Sequence, residues 1–296
     1  MDELPGAVEV GPWAKEKLRA LERYLDYYTT VLKNQRWRTI YVDAFAGGGR
    51  SKVRSQPRSE EGEFDLFGAE DVVPEQREFI DGSPRRALDI ANPFYSYIFV
   101  DADPKRVATL NELKAEYGAS RRIHVREGSA AEQIDWILSN KPTRQEHRGV
   151  AFLDPFGAHL EWRTIQALAD THLFEVFINF PLHMALNRLM TLNPAIPPVW
   201  KAQLDAFFPP GWYEQIYERD EGLFADDVMR KRKDATQRAL AFYTESLRKC
   251  FGYVASPRLI KNTRNMPLYY LLWAGPHKKG LEGAEHIMRM GEELLD

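Results

Sequence analysis

The stretch Thr39-Ile-Tyr-Val-Asp-Ala-Phe-Ala-Gly-Gly-Gly49 joins a β-prone run to an acid and then to a turn of small residues. Glycines at 47 and 49 allow a sharp turn and a close backbone approach to a ligand, and a following helix N-terminus offers free N–H groups. The spacing differs from the dinucleotide fingerprint Gly-x-Gly-x-x-Gly, because position 52 is a lysine. The stretch predicts a strand that feeds a nucleotide-binding loop, and a glycine-rich turn without a ligand is the alternative.

Two later apolar runs also end in an aspartate, at Asp101 and at Asp154. Ligands of open α/β sheets lie outside the carboxyl ends of the strands, where these two residues and Asp43 would meet. Aspartates also commonly cap helices, so a capping role is the alternative for Asp101 and for the nearby Asp103.

The form Asp-x-Phe-Ala-Gly-x-Gly at 43–49 resembles the first motif of S-adenosylmethionine-dependent methyltransferases, as found in enzymes that methylate amino groups of nucleic-acid bases. The resemblance implies that the acid after the second strand binds the ribose hydroxyls and that the residues after the third strand meet the adenine. The cofactor-binding residues are then Asp43, Phe45, Ala46, Gly47, Gly49, Asp101, Ala102, Gly128 and Ser129.

Asp154-Pro155-Phe156-Gly157 resembles the Asp/Asn-Pro-Pro-Tyr motif of amino-methyltransferases. In that motif a side-chain oxygen and a backbone carbonyl accept hydrogen bonds from an exocyclic amine, and an aromatic ring stacks on the base. Positioning in a pre-organised site supplies most of the acceleration, so no nucleophile is needed. Here Phe156 replaces the second proline and Gly157 replaces the aromatic residue. Pro155 and Phe156 acting only as a strand cap are therefore the alternative to a catalytic role.

Most of the chain resembles the three-Cys-motif partner (TcmP) family, a bacterial and phage-associated group. The carriers of the resemblance are Trp13, Lys17-Leu18, Tyr24-Leu25, Tyr41 to Gly47, Gly82-Ser-Pro-Arg-Arg-Ala-Leu88, Phe152 to Gly157 with Trp162, Asn187-Arg188 and Pro267 to Ala274. The family implies a methyltransferase-like fold and a companion protein with a three-Cys motif, for which an iron–sulfur protein is one candidate. It supplies no established reaction.

Composition agrees with one enlarged α/β domain of 296 residues, of which 44% are hydrophobic. The single cysteine, Cys250, excludes an internal disulfide and points to a reducing compartment. The seven histidines form no close ligand pair on a helix face, so we expect no metal. No stretch resembles a membrane span or a signal peptide, and we expect a cytoplasmic protein.

The net charge of −3 means that nucleic-acid binding would depend on local basic patches. The patch after the glycine loop runs from Arg50 to Arg58 and contains Arg50, Lys52, Arg54 and Arg58, and a second runs from Arg144 to Arg148. We expect both near the carboxyl edge of the sheet or its connections. A third patch, Met229 to Lys233, is predicted to lie in a helix. A solvated charged face is the alternative for each.

The remaining pattern predicts a Rossmann-like class I methyltransferase fold with a seven-stranded, mostly parallel sheet and a helical insertion after strand five. Residues 51–79 read as a long loop or hairpin, and 190–233 as an aromatic, helical lid or substrate subdomain. Ser83 is predicted to cap a helix, and a substrate or cofactor contact, which the family resemblance implies, is the second possibility. Asn187 and Arg188, near the exit of strand five, are the other candidate substrate contacts.

Two functions follow. The first is a methyltransferase that uses S-adenosylmethionine to modify an amino group of a DNA or RNA base, with Asp154 and the Pro155 carbonyl orienting the amine. The second is a catalytically inactive module of the same fold that binds nucleic acid and the three-Cys protein.

Overall fold

The computed structural model describes residues 8–10, 13–53, 79–140, 142–219, 229–262 and 265–290. The helices are α1 Trp13–Leu32, α2 Ser83–Asp89, α3 Pro104–Tyr117, α4 Ala130–Ser139, α5 Trp162–Asp170, α6 Asn187–Leu189, α7 Pro198–Phe207, α8 Trp212–Ile216, α9 Ala235–Phe251 and α10 Lys278–Arg289. The strands are β1 Val8–Val10, β2 Arg38–Asp43, β3 Arg50–Val53, β4 Phe79–Asp81, β5 Ser96–Asp101, β6 Ile123–Glu127, β7 His147–Leu153, β8 Phe174–Phe180, β9 Tyr217–Arg219, β10 Met229–Lys231, β11 Tyr253–Val254, β12 Arg258–Lys261 and β13 Pro267–Gly275.

The central sheet has the order β11-β13-β8-β7-β2-β5-β6, and β12 also pairs with β13. Strands β6, β5, β2, β7 and β8 are parallel, whereas β13 is antiparallel to β8. This confirms the predicted α/β class with a mostly parallel sheet. The described sheet has eight strands and not seven, because two short strands share the position expected for one. Pro257 lies between them and lacks the N–H that an unbroken strand would donate.

Both faces of the sheet are covered, which explains why its strands are nearly continuous apolar runs. Alternate residues of β2 face opposite sides: Ile40 and Val42 join one buried cluster and Tyr41 joins the other. Helices α4, α5 and α9 cover the first face, and α1, α2, α3 and α10 cover the second.

A small second sheet lies beside the glycine loop. Strand β3 pairs in parallel with β1 and antiparallel with β4. The ends of the predicted 51–79 loop therefore form a paired ribbon, while its central part, 54–78, lies outside the described residues.

The region 190–233 contains α7 and α8 and the antiparallel pair β9–β10. Its aromatic side chains are part of the main core, since Phe207 lies 5.7 Å from Phe180 and 5.4 Å from Tyr243 between ring centroids. The helix predicted for Met229 to Lys233 is wrong, because Met229–Lys231 pairs as a strand with Tyr217–Arg219.

Candidate active site at the carboxyl edge of the sheet

The glycine loop connects the ends of three strands. After β2, the Ala44 N–H donates to the Phe152 carbonyl at 3.1 Å and the Ala46 N–H donates to the Val100 carbonyl at 2.8 Å. Gly47 and Gly49 then adopt φ of 63° and 74°, a region that side chains with a Cβ rarely occupy. Apart from its two chain neighbours, no heavy atom of the described residues lies within 4 Å of the position that a Cβ on Gly47 would take. The loop therefore presents an open surface at Gly47 above the strand ends.

Asp101 joins this loop to the next strand. Its Oδ2 accepts the Gly47 N–H at 2.9 Å and its Oδ1 accepts the Asp103 N–H at 2.9 Å. Asp103, and not Asp101, caps α3 by accepting the Lys105 N–H at 2.9 Å. The capping alternative therefore applies to Asp103, and the carboxylate of Asp101, whose residue is 7% exposed, remains beside the glycine loop.

The predicted adenine contacts lie next to Asp101. The Gly128 N–H donates to the Asp101 carbonyl at 3.1 Å, and Gly128 has φ of 138°. Ser129 caps α4 in a reciprocal pair with Glu132, whose N–H donates to the serine hydroxyl at 3.2 Å. Ala102 is exposed beside them. The structure thus brings these residues together with Asp101, with the Ser129 hydroxyl already serving as a helix cap.

Asp43 lies fully buried beneath the loop. Its carboxyl accepts the Tyr41 hydroxyl at 3.3 Å and the Phe45 N–H at 3.4 Å, and it also bonds the Ser83 side chain. Burial, opposed by the Ser83 hydrogen bond and reinforced by the charge of Asp154, raises the pKa of Asp43 to about 7.

Ser83 braces the glycine loop and does not cap its own helix. Gly82 is the N-cap residue of α2, so the predicted capping role of Ser83 is wrong by one position. The Gly82 N–H donates to the Gly49 carbonyl at 2.9 Å. A Cβ on Gly82 would lie 3.1 Å from the Gly49 backbone, so a side chain at position 82 would push the two segments slightly apart. The Gly-Ser-Pro segment thus contacts the glycine loop at both Gly49 and Asp43.

Asp154 follows β7 and is held by two side chains from distant parts of the chain. Lys17 Nζ lies 2.5 Å from Asp154 Oδ2, and Asn179 Nδ2 donates to Asp154 Oδ1 at 2.7 Å. Asn179, the penultimate residue of β8, is 8% exposed, and within the described part of the chain its buried Oδ1 has no hydrogen-bond partner. Because a carboxylate is only an acceptor, the carboxylate of Asp154 orients the Asn179 amide with its oxygen pointing away.

In the same motif, the side chain of Phe156 is 55% exposed, whereas Pro155 is buried. The Arg106 guanidinium lies 5.3 Å from the Phe156 ring centroid and 3.7 Å from Asp101 Oδ2. Arg106 therefore links the Asp154–Phe156 motif to the acid at the end of β5.

The predicted substrate residues are less concentrated. Arg50 and Lys52 lie in β3, paired with Asp81 and Phe79, and Arg54 lies outside the described residues. Asn187 accepts from Lys231 Nζ at 2.9 Å, and the Arg188 guanidinium lies 5.7 Å from the Trp200 ring centroid. The structure therefore places Asn187 and Arg188 against the 190–233 region.

No site role was predicted from the sequence for Lys17, Asn179 or Arg106, although Asn179 was expected near the exit of strand five. A signal existed for Lys17, since it lies on the apolar stripe of α1 between Ala14 and Leu21 and is itself only 8% exposed. A lysine on such a stripe needs a buried partner. For Asn179, the corresponding signal is its position as a polar residue next to the end of a fully buried strand.

No family model and no curated protein matches this chain. Among solved structures, it is similar to a Legionella pneumophila protein of the family model DUF519, with 11% identity, 93% of this chain and 90% of that chain covered, and a TM-score of 0.50. It is also similar to spermidine synthase from Thermotoga maritima, with 10% identity, 92% of this chain and 62% of that chain covered, and a TM-score of 0.39. A third similar structure is the 16S rRNA methylase ArmA, with 13% identity, 88% of this chain and 86% of that chain covered, and a TM-score of 0.33. At these identities the likeness concerns the fold alone.

The chain has a Rossmann-like class I methyltransferase fold. The strand order, the single reversed strand β13 and the glycine loop after β2 are the features that define it here. None of the helices that the structure describes is long and apolar enough to cross a membrane.

Proposed function

We propose that this protein is an S-adenosylmethionine-dependent methyltransferase that modifies an amino group of a nucleic-acid base in DNA or RNA. The observation that carries the proposal is the hydrogen bond from the Gly47 N–H to Asp101, which joins the glycine loop to the acid of the next strand. Ligands of open α/β folds bind at such an edge.

The residues present fit this cofactor. A carboxylate has about four acceptor sites, and Asp101 uses two of them for the Gly47 and Asp103 N–H groups. The remaining sites can accept two ribose hydroxyls. The open space beside Gly47 allows a ligand to approach the backbone. When bound, the cofactor supplies an electrophilic methyl group.

The residues after β7 and β8 supply acceptors for the amine. Asp154 keeps acceptor capacity beyond its bonds to Lys17 and Asn179. The buried Oδ1 of Asn179 has no partner among the described residues, which is costly unless another donor satisfies it. We assign Asp154 to one N–H bond of the substrate amine, and the Pro155 carbonyl and Asn179 Oδ1 jointly to the other. Lys17 holds Asp154 in place and balances its charge.

The second candidate is an inactive module that binds nucleic acid and the three-Cys protein. The observation that favours it is the altered motif, in which Phe156 lies beside Arg106 and Gly157 replaces the stacking aromatic residue. The TcmP resemblance supports a three-Cys companion under either candidate, including an iron–sulfur protein.

The experiment is transfer of a labelled methyl group to total DNA and total RNA, with and without the companion. We expect transfer by the wild type, and Asp154→Ala should lower it by on the order of 10²-fold or more, because a pre-organised polar contact is lost. Binding of S-adenosylmethionine should stay intact in this variant. Arg163→Ala, at an exposed position on α5, is the control. Absence of transfer to every substrate, with cofactor binding intact, would favour the inactive module.

A further inference from the structure

Arginines gather where four neighbouring strands begin, at the edge of the sheet opposite the candidate active site. We call this surface the arginine edge and define it by Arg36, Arg38, Arg122, Arg144 and Arg148. The patch from Arg144 to Arg148, expected near the carboxyl edge or its connections, belongs here instead, because Arg148 lies in the first part of β7.

Backbone contacts fix the arginine edge as one surface. Arg38 pairs with His147 in the sheet, and its N–H donates to the Glu146 carbonyl at 2.8 Å. On the other side, the Tyr97 N–H donates to the Arg122 carbonyl at 2.9 Å. The strands concerned, β6, β5, β2 and β7, are consecutive in the sheet. At about 4.8 Å per strand, the arginine edge is about 14 Å wide.

Two aromatic rings hold the guanidinium groups in place. Tyr95 is flanked by Arg122 at 4.0 Å and Arg38 at 5.4 Å, and Trp37 lies 4.1 Å from Arg148. A guanidinium that stacks on a ring keeps the N–H donors in its plane available for a second ligand. The three stacked side chains are therefore pre-organised. Arg148 Nη1 also donates to the carbonyls of Arg144 and His147, which fixes its guanidinium further and leaves its other N–H groups for phosphate oxygens.

The arginine edge has an excess of positive charge. Within the described residues, none of its five arginines lies within 4.0 Å of a carboxylate oxygen, whereas Arg85 and Arg232 elsewhere are paired with Glu116 and Glu218. Glu146, between Arg144 and Arg148 in the chain, is exposed, and Glu175, whose charge acts on Arg148, is buried and bound to Tyr24. The hydrogen bond with Arg122 is the main cause that lowers the pKa of Tyr95, and the charges of Arg122 and Arg38 lower it further.

We propose that the arginine edge binds the phosphate backbone of a nucleic acid. Arginines stacked on the exposed ring of Tyr95 and the partly buried ring of Trp37 are suited to sequence-independent backbone binding, and the net charge of −3 means that only a local surface can provide it. Because β2 spans about 17–20 Å, the arginine edge would hold a part of the polymer distant from the reacting base. This inference deepens the proposed function and rests on it for the role of the bound polymer.

The test is fluorescence anisotropy with labelled 30-nucleotide single-stranded RNA, single-stranded DNA and duplex DNA over a range of salt concentrations. Arg36→Glu/Arg144→Glu should weaken binding by about tenfold or more and reduce the salt slope by about 2, since about one phosphate contact is lost per arginine. Arg38→Gln/Arg122→Gln, without charge reversal, should weaken it in the same direction. The three probes identify the polymer.

Arg238→Glu/Arg248→Glu is the control, because it makes the same change of charge on α9, where Arg238 already pairs with Asp234 and Arg248 with Glu245. Wild-type affinity in both edge variants, or an equal loss in the control, would overturn the proposal. Binding of polyglutamate as tight as that of the oligonucleotides would also overturn it and indicate an acidic protein partner. Titration with S-adenosylmethionine separates the two claims, because edge variants should bind the cofactor like the wild type whether or not the nucleic-acid proposal holds.

Discussion

Glu175 provides a quantitative test of the core. This carboxyl is buried beneath the sheet and accepts the Tyr24 hydroxyl. Burial, opposed by the Tyr24 hydrogen bond and the charge of Arg148, raises the pKa of Glu175 from 4.5 to about 7. At about 1.4 kcal/mol per pKa unit, this shift corresponds to about 3 kcal/mol.

The sign follows from proton linkage. Between pH 4.5 and about 7 the folded protein holds the Glu175 proton and the unfolded chain does not, so the free energy of unfolding falls as pH rises. The stability that this group contributes is fully present below its unfolded pKa and is lost above about pH 7. Glu175→Gln keeps an acceptor for Tyr24 and cannot ionise. It should therefore raise the free energy of unfolding by about 2–3 kcal/mol at pH 8.5 and change it little at pH 4.5.

Urea denaturation of the wild type and Glu175→Gln at pH 4.5, 6, 7 and 8.5 measures this difference. Glu112→Gln, on the exposed face of α3, is the matched control and should leave the pH profile unchanged. The reasoning is refuted if the stability difference between Glu175→Gln and the wild type is the same at every pH.

Three other changes test the remaining contacts. Asp43→Asn should also stabilise the protein above pH 7, because the pKa of Asp43 is raised to about 7, and parallel urea profiles for variant and wild type would contradict this. Gly280→Ala should cost about 1–3 kcal/mol in thermal denaturation, since its Cβ would lie 2.4 Å from Glu175 Oε1 and 2.8 Å from Trp273 Cζ2. An unchanged melting temperature would show that α10 can shift. Lys17→Met should cost about 1–2 kcal/mol by removing the partner of Asp154, and additivity with Asp154→Asn in a double-mutant cycle would exclude the coupling.

Much of the sheet was predictable because buried parallel strands are short apolar runs with distinctive ends. Phe174–Phe180 is the strand that the pattern predicts, and the acids after β2, β5 and β7 indicate the edge at which a ligand would bind. The split strand beside β13 was harder to foresee, since it depends on how Pro257 interrupts pairing. Met229–Lys231 was misassigned because local charge does not show that a partner strand begins twelve residues earlier, at Tyr217.

The candidate site was only partly predictable for a different reason. Residues of the glycine loop are close in sequence, so their spacing is informative. The Lys17–Asp154 contact joins residues 137 positions apart, and the Asn179–Asp154 contact joins residues 25 apart. Only the packing of α1 on the sheet and the pairing of β7 with β8 bring these side chains together. The same applies to the arginine edge, where four separate chain segments meet at the beginnings of adjacent strands.

The most direct test of the central claim is isothermal titration of the purified protein with S-adenosylmethionine and S-adenosylhomocysteine, repeated with Asp101→Ala and with Asp103→Ala as the neighbouring control. We predict micromolar binding by the wild type, loss of binding in Asp101→Ala, and retained binding in Asp103→Ala, because the Asp103 side chain caps α3 and pairs with Arg106, whereas that of Asp101 accepts the Gly47 N–H of the glycine loop. Absence of binding by the wild type, alone and with the three-Cys companion, or equal affinity of Asp101→Ala and the wild type, would contradict the assignment of the cofactor site.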